Sequence, residues 1–113
     1  MAESFRVDVV SPEAVVWSGE AELVTARTTE GDIGIMAGHE PTMAALATGS
    51  AEIHAGKDKV TVAVHGGFLQ IFRNQVTLLS DRAEIVEGDA DAAREHAQAL
   101  RQAEESALVE ESE

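Results

Sequence analysis

The side chains able to do chemistry are few and scattered. The histidines are His39, His54, His65 and His96. Imidazole can ligate a metal or act as a base near neutral pH, but these four lack the close pairing of zinc sites. His54 and His65 fall in strand-like stretches, where a surface or cross-strand role is the ordinary one. Glu30, Asp32 and Glu40 could serve as acid and base or hold Mg²⁺, but their setting among turn residues favours plain solvated carboxylates. Gly31, Gly34 and Gly38 dot the same stretch, yet no Lys-Ser or Lys-Thr follows them as a phosphate-cradling loop requires. There is no Gly-x-Ser-x-Gly elbow for a hydrolase nucleophile. Cysteine is absent, which removes thiol chemistry, disulfides and cysteinyl metal sites. Trp17, beside Ser18-Gly19, reads as a core anchor next to a turn. No catalytic set emerges.

The chain that must position these residues has 113 of them, about one domain's worth. Eight basic against 21 acidic side chains give a formal net charge of −13. Such a charge opposes a grip on nucleic-acid phosphates or on anionic headgroups, so neither nucleic acid nor direct lipid insertion is expected. The opening Met1-Ala2-Glu3-Ser4-Phe5-Arg6 predicts no secretory leader. The longest apolar run, Met43 to Ala47, is far short of the ~20 residues of a membrane span. A soluble, acidic, intracellular domain is expected, and the charge divides it unevenly. Residues 84–113 carry 10 acids and 2 arginines, net −8, whereas residues 1–83 carry 11 acids and 6 bases, net −5. The composition changes with the charge, from Val, Thr, Ile and Gly to Ala, Glu, Gln and Arg. Two segments follow, residues 1–87 and residues 88–113.

The first segment is mainly β. Phe5, Val7 and Val9 alternate with Arg6 and Asp8, and Val60, Val62 and Val64 alternate with Thr61 and Ala63, the period of a half-buried strand. Further strands are predicted at Ala14–Trp17, Ala21–Thr28, Ile33–Met36, Ser50–His54, Phe68–Phe72, Val76–Ser80 and Ala83–Val86. Turn signals separate them at Ser18-Gly19, Glu30-Gly31-Asp32, Gly38-His39-Glu40-Pro41, Ala55-Gly56-Lys57-Asp58, Gly66-Gly67 and Arg73-Asn74. Short strands so punctuated predict a sandwich or flattened barrel. With four aromatics in all, the core must be aliphatic, with Phe5, Trp17, Phe68 and Phe72 expected as its large fillers.

The second segment predicts one helix, from about Asp89 to Leu108, after a break at Gly88. Asp89 or Asp91 can cap its first turn and complement its dipole. Ala93, Ala97, Leu100, Ala103 and Ala107 form a narrow stripe, so the helix should form by propensity more than by packing. Val109 to Glu113 is expected to fray.

The order of three motifs resembles a known family. Gly31-Asp32-Ile33-Gly34-Ile35-Met36-Ala37-Gly38-His39-Glu40-Pro41 resembles the Gly-acid-apolar-Gly-Ile-x-x-Gly-His-x-Pro signature of the F-type ATP synthase epsilon subunit. Val9-Val10-Ser11-Pro12-Glu13 through Trp17-Ser18-Gly19 is similar to that family's first hairpin. Gly66-Gly67-Phe68-Leu69-Gln70-Ile71 through Val76 to Glu84 is similar to its Gly-Gly hairpin and last strand. The three lie in register over residues 5–84.

The resemblance implies a ten-stranded β-sandwich followed by a C-terminal helical part, at the foot of a rotating central stalk. It implies a subunit without bond chemistry that clamps the gamma subunit and rests on the membrane c-ring. Ring rotation driven by protons then turns gamma inside the alpha/beta catalytic head. By position it places Glu30, Gly31 and Asp32 at the c-ring contact and Gly38 and His39 at the gamma contact. The expected location is the cytoplasmic face of the cell membrane, as a peripheral part of the complex. Family members usually end in a helical hairpin that can inhibit ATP hydrolysis; the residues after 88 leave room for about one helix, so a short form with weak regulation is expected. Some members bind ATP through Ile-Asp-x-x-Arg-Ala. Asp91 and Arg94 match its centre but Ala90 and Glu95 depart from its ends, which favours an i, i+3 ion pair over an ATP cofactor site. The alternative function is a free-standing acidic β-sandwich that binds a basic protein partner.

Overall fold

A computed structural model describes residues 3–87 and 90–111, with side chains described within 3–87 and 91–105. Ten strands and one helix follow in order: β1 Phe5–Val10, β2 Val15–Ala21, β3 Leu23–Thr28, β4 Gly31–Ile35, β5 Thr42–Ala45, β6 Gly49–Ala55, β7 Asp58–His65, β8 Phe68–Phe72, β9 Gln75–Leu79, β10 Arg82–Val86 and α1 Ala90–Glu111. The strands form two five-stranded sheets, ordered β2-β1-β9-β8-β5 (sheet 1) and β10-β7-β6-β3-β4 (sheet 2). All neighbours are antiparallel except β1 and β9, which run parallel in the middle of sheet 1. The expected sandwich with a helix after it is the fold observed.

Alternation along each strand decides what enters the core. Val7, Val9, Leu69, Ile71, Val76 and Leu78 of sheet 1 face Val24, Ile35, Ile53, Val62 and Val64 of sheet 2, all of them buried. Each such side chain contributes on the order of 1.5–3 kcal/mol by leaving water. Two backbone positions close the hairpins that hold this register. Arg73 and Asn74, with φ of 50° and 60°, make a two-residue turn whose double left-handed geometry matches the twist of β8 and β9. Gly67, at φ +99°, passes so near β9 that a Cβ would lie 1.9 Å from the Leu79 carbonyl oxygen, and only glycine fits there.

Several sequence expectations fail for identifiable reasons. Phe68 and Phe72 are not core fillers: Leu69 and Ile71 occupy the inward positions of β8, so both rings point outward and are 55% and 49% exposed. Phe5 is buried and Trp17 packs partly against the core, as expected. Ser18-Gly19 is not a turn but lies within β2; glycine is needed there because the Trp17 indole lies across it, with a Cβ only 2.9 Å from the ring. The strand β5 follows Pro41 in an Ala-rich run that carries no strand signal of its own. Asp32 sits on β4 opposite Arg27 rather than at the turn tip, where Thr29 and Glu30 stand.

The helix packs on β7, β6 and β10, the outer face of sheet 2. Its stripe is narrower than predicted. Ala93 and Ala97 are buried and Leu100 is half-buried, but Ala103 is exposed and Glu104 takes the inward place, half-buried. The expected cap Asp89, the break at Gly88 and the side chain of Ala107 lie outside the described residues. Beneath the helix, Thr61 and Ala63 are buried although they point away from the sandwich core.

Adjacent residues of β8 give a direct test of this alternation. Leu69→Ala should cost about 2–5 kcal/mol by leaving a cavity, whereas Phe68→Ala should move stability by no more than about 0.5 kcal/mol. Denaturant unfolding of the two variants measures both, and equal losses would contradict the assignment of faces.

Candidate functional site

The helix covers the outer face of sheet 2 over β6, β7 and β10, and among the described residues the outer face of sheet 1 is bare. On that bare face, cross-strand register places Phe68 beside Leu79 and Ala45, Met43 beside Gln70, and Phe72 beside Gln75. Met43 is 68% exposed, Leu79 is close to half exposed, and Met36 is exposed in the loop after β4. Phe68, Phe72, Leu79 and Met43 thus share one face, while Val15 is exposed on the edge strand β2 and Ile85 on β10 of the other sheet. At one end of it the Arg73 guanidinium lies 5.2 Å from the centre of the Phe72 ring. At the other end Val10, Pro12, Phe68 and Leu79 line a groove of about 360 Å³.

The remainder of the same face is polar and ordered. The Asp8 carboxylate accepts hydrogen bonds from Ser18 Oγ at 2.5 Å, Gln75 Nε2 at 2.7 Å and an Arg6 guanidinium nitrogen at 3.2 Å. The Ser18 hydroxyl bond, followed by the contacts from Arg6 and Gln75, holds the Asp8 carboxyl below the usual carboxylate range, against the opposing effect of its burial. Strands β2, β1 and β9 are thereby tied across the polar half. The apolar half lies alongside on β8 and β5.

Gly38 and His39 lie in the loop after β4. The Gly38 N–H donates to Asn74 Oδ1 at 2.7 Å, which fastens this loop to the β8–β9 turn beside Phe72. His39 contacts its own loop, through Nδ1 to the Glu40 carbonyl at 2.8 Å. Glu30, Gly31 and Asp32 stand at the opposite end of β4. Thr28 shapes that turn, its hydroxyl donating to the Gly31 carbonyl at 2.7 Å and accepting from the Glu30 N–H at 3.2 Å. Glu30 is exposed at the tip, while Asp32, with its side chain 78% exposed, faces Arg27 across the hairpin at 3.9 Å. Asp91 and Arg94 pair with one another on the solvent side of α1. Arg94 also borders a cavity of about 370 Å³ with Arg27, Asp32, Ser50 and Glu52. Among the described residues no three His, Asp or Glu side chains converge as metal ligands, and no helix is long and apolar enough to cross a membrane.

Sequence reasoning misses the apolar face, because it assigns Phe68 and Phe72 to the core. The available signal is the strict alternation of Phe68-Leu69-Gln70-Ile71-Phe72, with two aromatics in phase with a glutamine.

The fold is thus a β-sandwich with its own helix over β6, β7 and β10 on one side and an open, partly apolar face on the other. The sequence model of the ATP synthase delta/epsilon chain β-sandwich domain matches residues 4–86. A relative from Streptomyces avermitilis, an ATP synthase epsilon chain, is 44% identical over 95 residues, covering 83% of this chain and 76% of its own. An ATP synthase epsilon chain from Frankia casuarinae is 41% identical over 81 residues, covering 71% of this chain and 95% of its own. Among solved structures, a chain of the Euglena gracilis mitochondrial ATP synthase (OSCP/F1/c-ring) superposes with a TM-score of 0.68 at 27% identity, over 87% of this chain and 62% of that one. The chain belongs to the ATP synthase epsilon family. Its homologues are non-catalytic subunits of the rotary enzyme.

The Asp8 network predicts a pH dependence. Because the folded carboxyl is depressed, its contribution to stability is present above the unfolded value of about 3.9 and is lost as pH falls through the folded value. Asp8→Asn should therefore be less stable than the native chain at pH 7, with the gap narrowing below about pH 4. Denaturation of both chains at pH 7 and at pH 3 checks this; a gap of constant size would show that the carboxylate charge is irrelevant.

Proposed function

We propose that this chain is the non-catalytic coupling subunit at the foot of the rotor stalk in a proton-translocating ATP synthase, docked on the gamma subunit through the bare face of sheet 1. The observation that carries the proposal is the apolar cluster of Met43, Phe68, Phe72 and Leu79, exposed in an otherwise strongly acidic chain. Family membership and the likeness to a chain of an F1/c-ring assembly support the same reading. Gly38 and His39 border this face through the Asn74 contact, which suits the gamma side. Glu30, Gly31 and Asp32, at the far end of β4, suit the polar loops of the c-ring. In this reading the subunit is peripheral, on the cytoplasmic face of the membrane, and reaches the alpha/beta head only through gamma.

The physical task is to carry torque between two partners without yielding. A sandwich whose strands are laddered by backbone hydrogen bonds around a close-packed core deforms little. The alternative of a free-standing module loses its footing with family membership. ATP binding is not part of the proposal: a phosphate would have to displace Asp91 from Arg94, and Asp32 and Glu52 border the same cavity. The single helix is assigned at most a weak influence on hydrolysis.

Two variants test the proposal in assembled membranes. Phe68→Glu with Phe72→Glu places two charges on the bare face and should abolish co-purification with gamma and c subunits while the isolated sandwich stays folded. Glu30→Lys with Asp32→Lys should leave assembly intact but lower proton pumping per ATP hydrolysed, since attraction to basic c-subunit loops becomes repulsion. Normal assembly of the first variant would refute the docking face, and unchanged pumping by the second would remove Glu30 and Asp32 from the c-ring contact.

A further inference from the structure

We propose that the groove at the Val10–Leu79 end of sheet 1 is an anchor site for a basic segment of the partner, which seats a large apolar side chain there with a Lys or Arg alongside. The proposal rests on the gamma-docking reading and names the chemistry of the segment that gamma must present.

The groove is built across three strands. Register sets Val10 of β1 beside Leu79 of β9, and Leu79 beside Phe68 of β8, a row of apolar side chains on the outer face. Pro12, exposed just beyond the end of β1, closes the row, and the space between them is about 360 Å³. That volume admits an aromatic or a long aliphatic side chain. Backbone bonds fix the walls. The Ser80 N–H donates to the Val10 carbonyl at 2.9 Å, and the Leu46 N–H to the Gly67 carbonyl at 2.9 Å. Ser11 and Ala14 bond each other's backbone at 2.9 and 3.3 Å, which tightens the turn that carries Pro12. A pocket formed before binding loses little freedom when filled, and side chains seated in such pockets carry much of an interface's energy.

The rim supplies the charge. Asp81 borders the groove, and with Glu13 it also borders a smaller cavity of about 180 Å³ on the other side of Ser11 and Pro12. Both carboxylates are exposed, and neither has an ion-pair or hydrogen-bond partner among the described residues. Arg82, the cation bordering that cavity, is engaged by Glu104 at 3.7 Å, and Glu84 there is paired with His96. An apolar groove with unpaired carboxylates at its lip favours an apolar side chain that has a cation close by. A second copy of this chain is disfavoured, since each copy carries a net charge of −13. The requirement is local: at the opposite end of the face Arg73 stands over Phe72 and the charge is positive.

The test measures association and dissociation of the full chain on an immobilised alpha/beta/gamma head prepared without this subunit. Val10→Trp fills the groove yet adds apolar area to the face, so a merely sticky face would bind more tightly and an anchored one less. Dissociation of this variant should be about tenfold faster. Glu13→Gln with Asp81→Asn should slow association about tenfold at low ionic strength and flatten its salt dependence. Circular dichroism checks the fold of each variant. The second variant changes exposed side chains alone, so it decides the proposal even where the tryptophan unfolds the chain. Unchanged or tighter binding by a folded Val10→Trp overturns the anchor, and unchanged association of the rim variant overturns the basic segment. If the native chain binds and both variants bind as it does, the groove fails while the gamma-docking reading stands. If the native chain does not bind the head, both fail. Sedimentation of the free chain as a dimer that Val10→Trp disperses would give the groove to a second copy and overturn the proposal.

Discussion

Strand alternation is the constraint on which this molecule depends. Two five-stranded sheets share one aliphatic seam, and every residue that enters it sends its neighbours to the opposite face. Leu69 and Ile71 go in, so Phe68 and Phe72 go out. Val62 and Val64 go in, so Thr61 and Ala63 go out. The seam therefore determines the outer surfaces as well as the core. A one-residue slip of β8 would bury the aromatics and lose both the packing and the exposed apolar face. The tight turn at Arg73-Asn74 and the close passage of Gly67 beneath Leu79 oppose such a slip.

The two outer faces are resolved differently. Sheet 2 offers small and polar groups, Ala63, Thr61 and Ser50 among charged neighbours, and a helix of small inward residues fits over them. Sheet 1 offers Met43, Phe68, Phe72 and Leu79 beside the ordered Asp8 network, and none of the described residues covers them. In a chain of net charge −13, four of the seven large apolar side chains exposed among the described residues, Met43, Phe68, Phe72 and Leu79, lie together on this face. The same asymmetry separates the two halves: an open apolar face on sheet 1, and on sheet 2 a helix held by small side chains and ion pairs.

Much of this is legible in the sequence because it is decided within a few residues. The Val-rich alternations, the left-handed positions at Gly56, Gly66 and Asn74, and the Ala/Glu-rich helix are of this local kind. What escapes is non-local. Gly19 looks like a turn residue until the Trp17 ring is seen to cross it. The Ala-rich β5 becomes a strand only because β8 pairs with it, and Asp32 becomes a strand residue through Arg27. Glu104 takes the inward side of the helix in place of Ala103 because His65 and Arg82 await it there, partners some forty and twenty positions away in the chain. Family motifs locate the Glu30–Asp32 and Gly38–His39 segments, which the fold sets at opposite ends of β4. They do not reveal the apolar face, since an exposed aromatic and a buried one look alike until the partner strands are known.

The central claim is that the outer face of sheet 1 is buried in the assembled enzyme while the sandwich remains unchanged. Hydroxyl-radical footprinting tests it most directly, because methionine and phenylalanine side chains label readily when exposed. The free chain and the intact ATP synthase would be labelled side by side, with buried Phe5 as the internal reference. The account predicts strong labelling of Met43, Phe68 and Phe72 in the free chain, loss of it in the complex, and weak labelling of Phe5 in both. Equal labelling of Met43, Phe68 and Phe72 in the two samples would contradict it.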